Sequence, residues 1–262
     1  MLPAPPVDPA PDSVGAVVAR GERRVAAGPV PKDAVAIDGP AGAGKSTVAR
    51  LLARRLGWTY VDSGAMYRAV TLKAVRAGVD LEDVDAVVEV ARAARVEPAE
   101  VTGSERTLLD GEDVSDEIRR PELTRLVRKV AGAGPARKVL VDKQRRLAEG
   151  RPVVMEGRDI GTVVLPDARV KFFLDASLEE RARRRARDLR RAGVEVALDA
   201  LRAELASRDR SDRGRKVGPL ALAEDAEVVD TTDMALEEVV DLLASKTREI
   251  LDGRTPGRRG EV

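Results

Sequence analysis

Residues 39–46 of the chain read GPAGAGKS, a full match to the pattern G-x-x-x-x-G-K-[ST]. Glycines at 39, 42 and 44 let the backbone wrap with its N–H groups pointing inward, and a helix opening directly afterwards adds partial positive charge. Pro40, Ala41 and Ala43 complete the loop, Lys45 can reach β- and γ-phosphates, Ser46 can offer its hydroxyl to Mg2+, and Thr47 follows. All nine residues, Gly39, Pro40, Ala41, Gly42, Ala43, Gly44, Lys45, Ser46 and Thr47, are therefore candidate ligands of a nucleoside triphosphate with Mg2+. No N/T-K-x-D tetrad occurs, so the guanine-recognition segment of a GTPase switch is missing.

The chemistry has to run without His or Cys, because the chain contains neither. That removes thiol nucleophiles, Ser-His-Asp triads, disulfide frameworks and zinc sites needing N or S ligands. Carboxylates, hydroxyls, Lys, Arg, backbone amides and a hard cation remain. Forty-six basic against 45 acidic side chains give a net charge of +1, which provides no global field for nucleic acid or anionic lipid. Five aromatics, Trp58, Tyr60, Tyr67, Phe172 and Phe173, are too few for a single-strand stacking platform.

Three further segments narrow the choice among phosphate-loop proteins: residues 62–68, DSGAMYR; residues 156–164, EGRDIGTVV; and residues 208–215, RDRSDRGR. In this order behind the phosphate loop, the chain closely resembles bacterial cytidylate kinases. The resemblance runs over residues 33–251 and includes GEDVSDEIR at 111–119, the helix ending in KQR at 143–145, and FLDAS at 173–177. It implies transfer of the γ-phosphoryl group of ATP to CMP or dCMP with Mg2+, on a parallel-sheet core carrying a nucleoside-monophosphate subdomain and a mobile lid. An acceptor phosphate oxygen is already anionic at neutral pH, so such a reaction needs cationic positioning and no general base.

The resemblance also implies residue roles. Arg68, Arg158 and Arg215 would grip the acceptor phosphate, a geometry suited to forked guanidinium groups, with Ser63 and Tyr67 touching the nucleotide. Asp159 would accept from the cytosine exocyclic amine and Arg137 would donate to the ring acceptors, while Arg208 and Asp212 would hold the sugar. Arg184 and Arg185, within the RARRRARDLRR run at 181–191, would close over the migrating phosphoryl group; a solvated helix face with i,i+4 pairs and a nucleic-acid contact are the two other readings of that run. Glu156, at the end of an expected core strand, is a candidate to hold the metal through water, beside Ser46. One position departs from the family pattern: Arg128 stands where a small hydroxyl residue often helps hold the base. The loop at 131–135, leading to Arg137, is rich in Gly.

The elements that must position these groups are legible as periodicity. Continuous apolar runs at 34–37, 59–62, 152–155, 170–174 and 228–231 suit strands buried on both faces of a parallel sheet. Val48, Leu51, Leu52 and Leu56 follow the loop at helical spacing, residues 67–76 form another helix, and Leu236, Val239, Val240, Leu243, Ile250 and Leu251 form a closing one. This predicts an α/β fold in three layers, with helices on both faces of a five-stranded parallel sheet. The texture changes over residues 81–120, where Gly103-Ser104 and Asp110-Gly111 signal turns, and the inserted subdomain is placed at about 62–130 with a helical lid at about 178–216. Residues 1–33, rich in Pro and Ala, read as a disordered tail and 252–262 as a flexible one. No stretch approaches 18 uncharged apolar residues. The expected protein is a cytoplasmic monomer acting on small molecules, without a nucleic-acid or membrane partner; the rival readings are another small-molecule kinase and a nucleotide-sensing protein without turnover.

Overall fold

A computed structural model describes residues 33–101, 104–191 and 193–253. The expected tails lie outside these residues, apart from Asp33, Asp252 and Gly253, as does Gly103 of the first turn signal. Along the chain, β1 (Ala34–Asp38) runs into the phosphate loop and α1 (Lys45–Leu56), and β2 (Thr59–Asp62) into α2 (Ser63–Arg76). Next come α3 (Val84–Ala93), β3 (Val96–Val101), β4 (Ser104–Leu109), β5 (Glu112–Asp113) and a 3-10 turn at Glu117–Arg119. Then follow α4 (Pro121–Gly132), α5 (Gly134–Ala148), β6 (Val153–Glu156), a π turn at Ile160–Val164 and β7 (Val170–Asp175). The pair α6 (Leu178–Arg191) and α7 (Leu198–Arg213), then β8 (Glu227–Asp230) and α8 (Leu236–Leu251), complete the described chain.

The five apolar runs form one parallel sheet in the order β2-β6-β1-β7-β8, as the α/β reading expects. Alternate residues of a strand point to opposite faces. On β1, Ala34 and Ala36 face a core built with α2, α4 and α5, whereas Val35 and Ile37 face one built with α1 and α8. At the edge the pattern is looser: Val228 of β8 is 53% exposed while Val229 is buried, because no strand lies beyond β8 in this sheet. Three strands run one residue further than the apolar pattern suggests, so that Asp38 ends β1, Glu156 ends β6 and Asp175 ends β7. Register then sets Glu156 between Ile37 and Asp62 at the C-terminal edge, where ligands of open α/β sheets bind.

The helix expected at 67–76 begins four residues earlier, at Ser63, because Asp62 caps it by accepting the Ala65 N–H at 2.8 Å. That start puts Ser63, Tyr67 and Arg68 on the first turns of a helix anchored to a core strand. Between α3 and α4 lies a small antiparallel sheet, β3-β4-β5, whose second turn uses Asp110 and Gly111 at φ 53° and 90°. The helices α6 and α7 enclose a separate apolar cluster of Ala182, Leu201 and Leu205, and the side chain of Ala41 in the phosphate loop completes it. Among the described residues no helix is long and apolar enough to cross a membrane.

Candidate active site

The loop at 39–46 turns sharply because Gly39, at φ 146°, lies against the Leu174 carbonyl of β7, where any Cβ would collide. Gly44, at φ 86°, starts α1 from the left-handed region. Lys45 is buried, and its ammonium donates to the Pro40 carbonyl at 2.7 Å. Burial first, and then the nearby Arg158 guanidinium, push it down from 10.5 to about 7. An anion held by the loop would reverse both effects. The loop from Ala41 through Thr47 forms one wall of a cleft of about 1410 Å³. Gly39 and Pro40 do not line that cleft, so they shape the loop from behind.

Across from the loop, Ser46 donates its hydroxyl to the Glu156 carboxylate at 2.7 Å. Burial and then the neighbouring Asp62 carboxylate hold Glu156 above the usual range. A hydroxyl and a buried carboxylate side by side form a hard-oxygen pair, of the kind that takes Mg2+ together with waters and phosphate oxygens. Among the described residues no group of three His, Cys, Asp or Glu side chains gathers for a metal, so any Mg2+ here would rely on substrate oxygens and water.

Four arginines converge from three parts of the chain. Arg68, on α2, pairs with Asp62 at 2.9 Å. Arg158, after β6, donates to Asp212 at 2.8 Å, and Arg215 holds the other oxygen of the same carboxylate. Asp212, which the resemblance assigns to the sugar, is thus flanked by two guanidinium groups, and Arg158 and Arg215 help keep it below the ordinary carboxylate range despite burial. Arg208 has no hydrogen-bonded or ion-paired partner among the described residues; burial and then Arg158 pull it down to about 10. A cation crowded by Arg158, Arg68 and Arg215 in a cleft is an anion site by its electrostatics.

At the far end Arg137, 2% exposed, pairs with the buried Asp159 and lies 5.4 Å from the Tyr67 ring centroid. The two groups expected to read a base therefore hold each other. Among the described residues Arg137 Nε has no hydrogen-bonded partner, and the Tyr67 hydroxyl makes no bond of good geometry, though Gln144 is near enough to act on it. Gly218, at φ 58°, lies directly on the Arg137 guanidinium, which leaves no room for a side chain there. Ser63 donates to the Glu156 carbonyl at 2.7 Å and lines the cleft. The departure at Arg128 is resolved by helix phase: Arg128 is exposed and off the cleft, while Thr124, Val127 and Ala131 of α4 line it.

The arginine run on α6 divides its work. Arg183 pairs with Glu179 and Arg187 with Glu180, a solvated face. Arg184 donates to the Thr231 hydroxyl at 3.0 Å and to its carbonyl at 2.5 Å, and lines the cleft beside Gly44. Arg185 is exposed at the cleft with no ion-pair partner among the described residues.

A family model described as cytidylate kinase matches residues 35–249, a span that contains every candidate site residue. The chain belongs to the cytidylate kinase family. The cytidylate kinase of Caldanaerobacter subterraneus subsp. tengcongensis is 53% identical over 219 residues, covering 84% of this chain and 96% of that protein. That of Pelotomaculum thermopropionicum is 52% identical over 213 residues, covering 81% and 94%. That of Oceanobacillus iheyensis is 46% identical over 226 residues, covering 86% and 97%.

Some residues that shape the family's site in this chain escaped sequence reasoning. Arg181 is buried, unlike the other arginines of its run; it pairs with Asp209 at 2.6 Å and donates to the Ala41 carbonyl at 3.0 Å. Asp209 in turn accepts the Ala41 N–H at 3.4 Å, so α6 and α7 are tied to the phosphate loop. The only advance signal was the 3.6-residue phase, which puts Arg181 and Ala182 together on the buried side of α6. Asp38, just past the apolar run at 34–37, carries no motif of its own, yet its carboxylate accepts the Ile160 and Gly161 amides at 2.8 and 2.7 Å.

Proposed function

We propose that this chain transfers the γ-phosphoryl group of ATP to CMP or dCMP, forming ADP and CDP or dCDP. The observation that carries the reading is the convergence of Arg68, Arg158, Arg208 and Arg215 on one cleft, between the phosphate loop and the buried Arg137–Asp159 pair. Four cations between a triphosphate loop and a polar base pocket suit an acceptor that is itself a nucleoside phosphate. A neutral hydroxyl acceptor would need a basic carboxylate and fewer cations, which disfavours a sugar or shikimate-like substrate. A sensor without turnover would have little use for Lys45 and the arginines at the junction of the two halves.

In this reading the loop amides and Lys45 hold the β- and γ-phosphates, and Lys45 leaves the Pro40 carbonyl to do so. Arg68, Arg158 and Arg215 clamp the acceptor phosphate; an anionic oxygen of that group forms the new P–O bond as the bond to the ADP oxygen breaks. Arg158 is close enough to both Lys45 and Glu156 to act on their charge, which sets it at the meeting point of donor and acceptor. Ser46 and, by way of water, Glu156 would hold Mg2+, which would supply charge neutralisation on the phosphate oxygens. Arg184 and Arg185, carried by a lid at about residues 178–216, close over the phosphoryl group and exclude water. Asp159 accepts from the cytosine amine, Arg137 and the Tyr67 hydroxyl face the ring, and Arg208 with Asp212 meet the sugar; uracil presents an acceptor to Asp159 and is disfavoured. Residues 62–130 form the acceptor-binding insertion. The same reading places the enzyme in the cytoplasm as a monomer acting on small molecules, and the near-balanced charge supports the lack of a nucleic-acid or anionic-lipid partner.

ADP formation from ATP and Mg2+ is the test, with CMP, dCMP, UMP, AMP, GMP, shikimate and gluconate as acceptors beside a no-acceptor control. Turnover dominated by CMP and dCMP is expected; ATP binding with no acceptor-dependent turnover would overturn the reading in favour of a sensor.

A further inference from the structure

Arg158 and Asp159 are adjacent in sequence, yet one is assigned to the acceptor phosphate and the other to the base. What holds both is β1, the strand that also feeds the phosphate loop. The Gly157 N–H donates to the Ile37 carbonyl at 2.9 Å, immediately before the pair. Immediately after it, the Ile160 N–H donates to one Asp38 oxygen at 2.8 Å and the Gly161 N–H to the other at 2.7 Å. Two functional residues are thus stapled on both sides to Ile37 and Asp38, next to Gly39 of the loop.

We propose that Asp38 is a positioning residue for acceptor-base selectivity, its carboxylate gripping the Ile160 and Gly161 amides so that Asp159 is held at a fixed height against the base. The proposal rests on the reading of Asp159 given above. Asp38 is 5% exposed and uses both oxygens on consecutive amides. Burying a carboxylate is costly unless the hydrogen bonds it makes matter. The segment has little slack elsewhere: a Cβ at Gly157 would press on the Ser63 hydroxyl at 2.5 Å, and one at Gly161 would meet Lys171 at 3.2 Å and Asp38 at 3.4 Å. Behind it Arg145 of α5 donates to the Val163 and Val164 carbonyls at 2.7 and 2.9 Å, which closes the π turn.

Asp38→Asn keeps the volume but turns a donor toward one of the two amides. Expected are a fall of about tenfold in the CMP-over-UMP ratio of kcat/KM, the size of one base-edge contact, an ATP KM changed less than about threefold, and faster amide exchange at Ile160 and Gly161. In the double variant with Asp159→Asn, the ratio should be no lower than in Asp159→Asn alone, because Asp38 acts through Asp159. A purely structural role would lower turnover with both acceptors equally and leave the ratio alone. Gly161→Ala presses on the same grip from the amide side while leaving the Asp38 carboxylate in place, and should move the ratio in the same direction; it decides the matter if Asp38→Asn does not fold. A folded variant with an unchanged ratio, or an additive double variant, overturns the positioning role. Absence of CMP-dependent turnover in the unaltered chain overturns the functional reading and this selectivity role with it, and is told apart because no variant is needed to see it.

Discussion

In the proposed reaction the donor and acceptor halves of the cleft solve the same problem, holding phosphate, by different means. The donor half is local: eight consecutive residues supply the loop, and the Lys45 ammonium rests on a carbonyl five residues away. The acceptor half is assembled over long distances, with Arg68 from α2, Arg158 after β6, and Arg208 and Arg215 around the end of α7. Its cations are kept apart by carboxylates, Asp62 for Arg68 and Asp212 for Arg158 and Arg215, which a substrate phosphate has to share or displace. The lesson is that backbone geometry can carry an anion site by itself, whereas a site of side chains needs counter-charges to be stable when empty.

The largest effect should come from breaking the local half. Lys45→Ala is expected to cost at least about 3 kcal/mol of transition-state stabilisation, read as a loss in kcat with the protein still folded. Turnover close to that of the unaltered chain would remove Lys45 from the reaction. On the acceptor side the expected cost is spread and more selective. Asp159→Asn should narrow the CMP-to-UMP gap in kcat/KM by about 1 to 3 kcal/mol, and an undiminished gap would locate base reading elsewhere.

A third experiment sharpens the contrast through pH. The folded-state value of Lys45, about 7, lies below the ordinary 10.5, so between those limits the unfolded chain carries a proton the folded one lacks. The stability owed to this group therefore rises with pH across that window, while below it the buried charge is paid for in full. Triphosphate binding restores the charge, so at about pH 8.5 ATP should bind with proton uptake, its affinity falling by up to about tenfold per pH unit from this group alone. Calorimetry in two buffers of different ionisation enthalpy measures the uptake; Lys45→Ala should lose that component, and equal uptake in both proteins would refute it. The smallest effect belongs to Arg128→Ser, which restores the family's hydroxyl on the exposed side of α4 and should change CMP kcat/KM by less than about 0.5 kcal/mol. A large gain would mean that α4 rotates on binding substrate.

Much of this was legible in advance, and the reason differs by residue. The strands, α1 and α8 followed from runs and 3.6-residue spacing, because an element buried on one or both faces writes its period into the chain. Helix α2 was read four residues short because its first turn is set by a cap, Asp62, that apolar periodicity does not record. Arg128 shows the same limit: its position departs from the family pattern, and only the helical phase of α4 in the fold shows that its side chain is exposed to solvent.

By itself the sequence determined the phosphate loop, the parallel sheet and the family, all of which depend on contiguous motifs or short-range period. Only the tertiary structure decided the rest: that Arg181 is buried against the loop while Arg183 and Arg185 two and four positions on are not, that Arg137 and Asp159 pair in the base pocket, and that Asp38 reaches Ile160 and Gly161. These are contacts between residues 22 to 140 positions apart. Nothing local distinguishes an arginine that will meet water from one that will meet a carboxylate, since the choice is made by which elements the sheet order brings together.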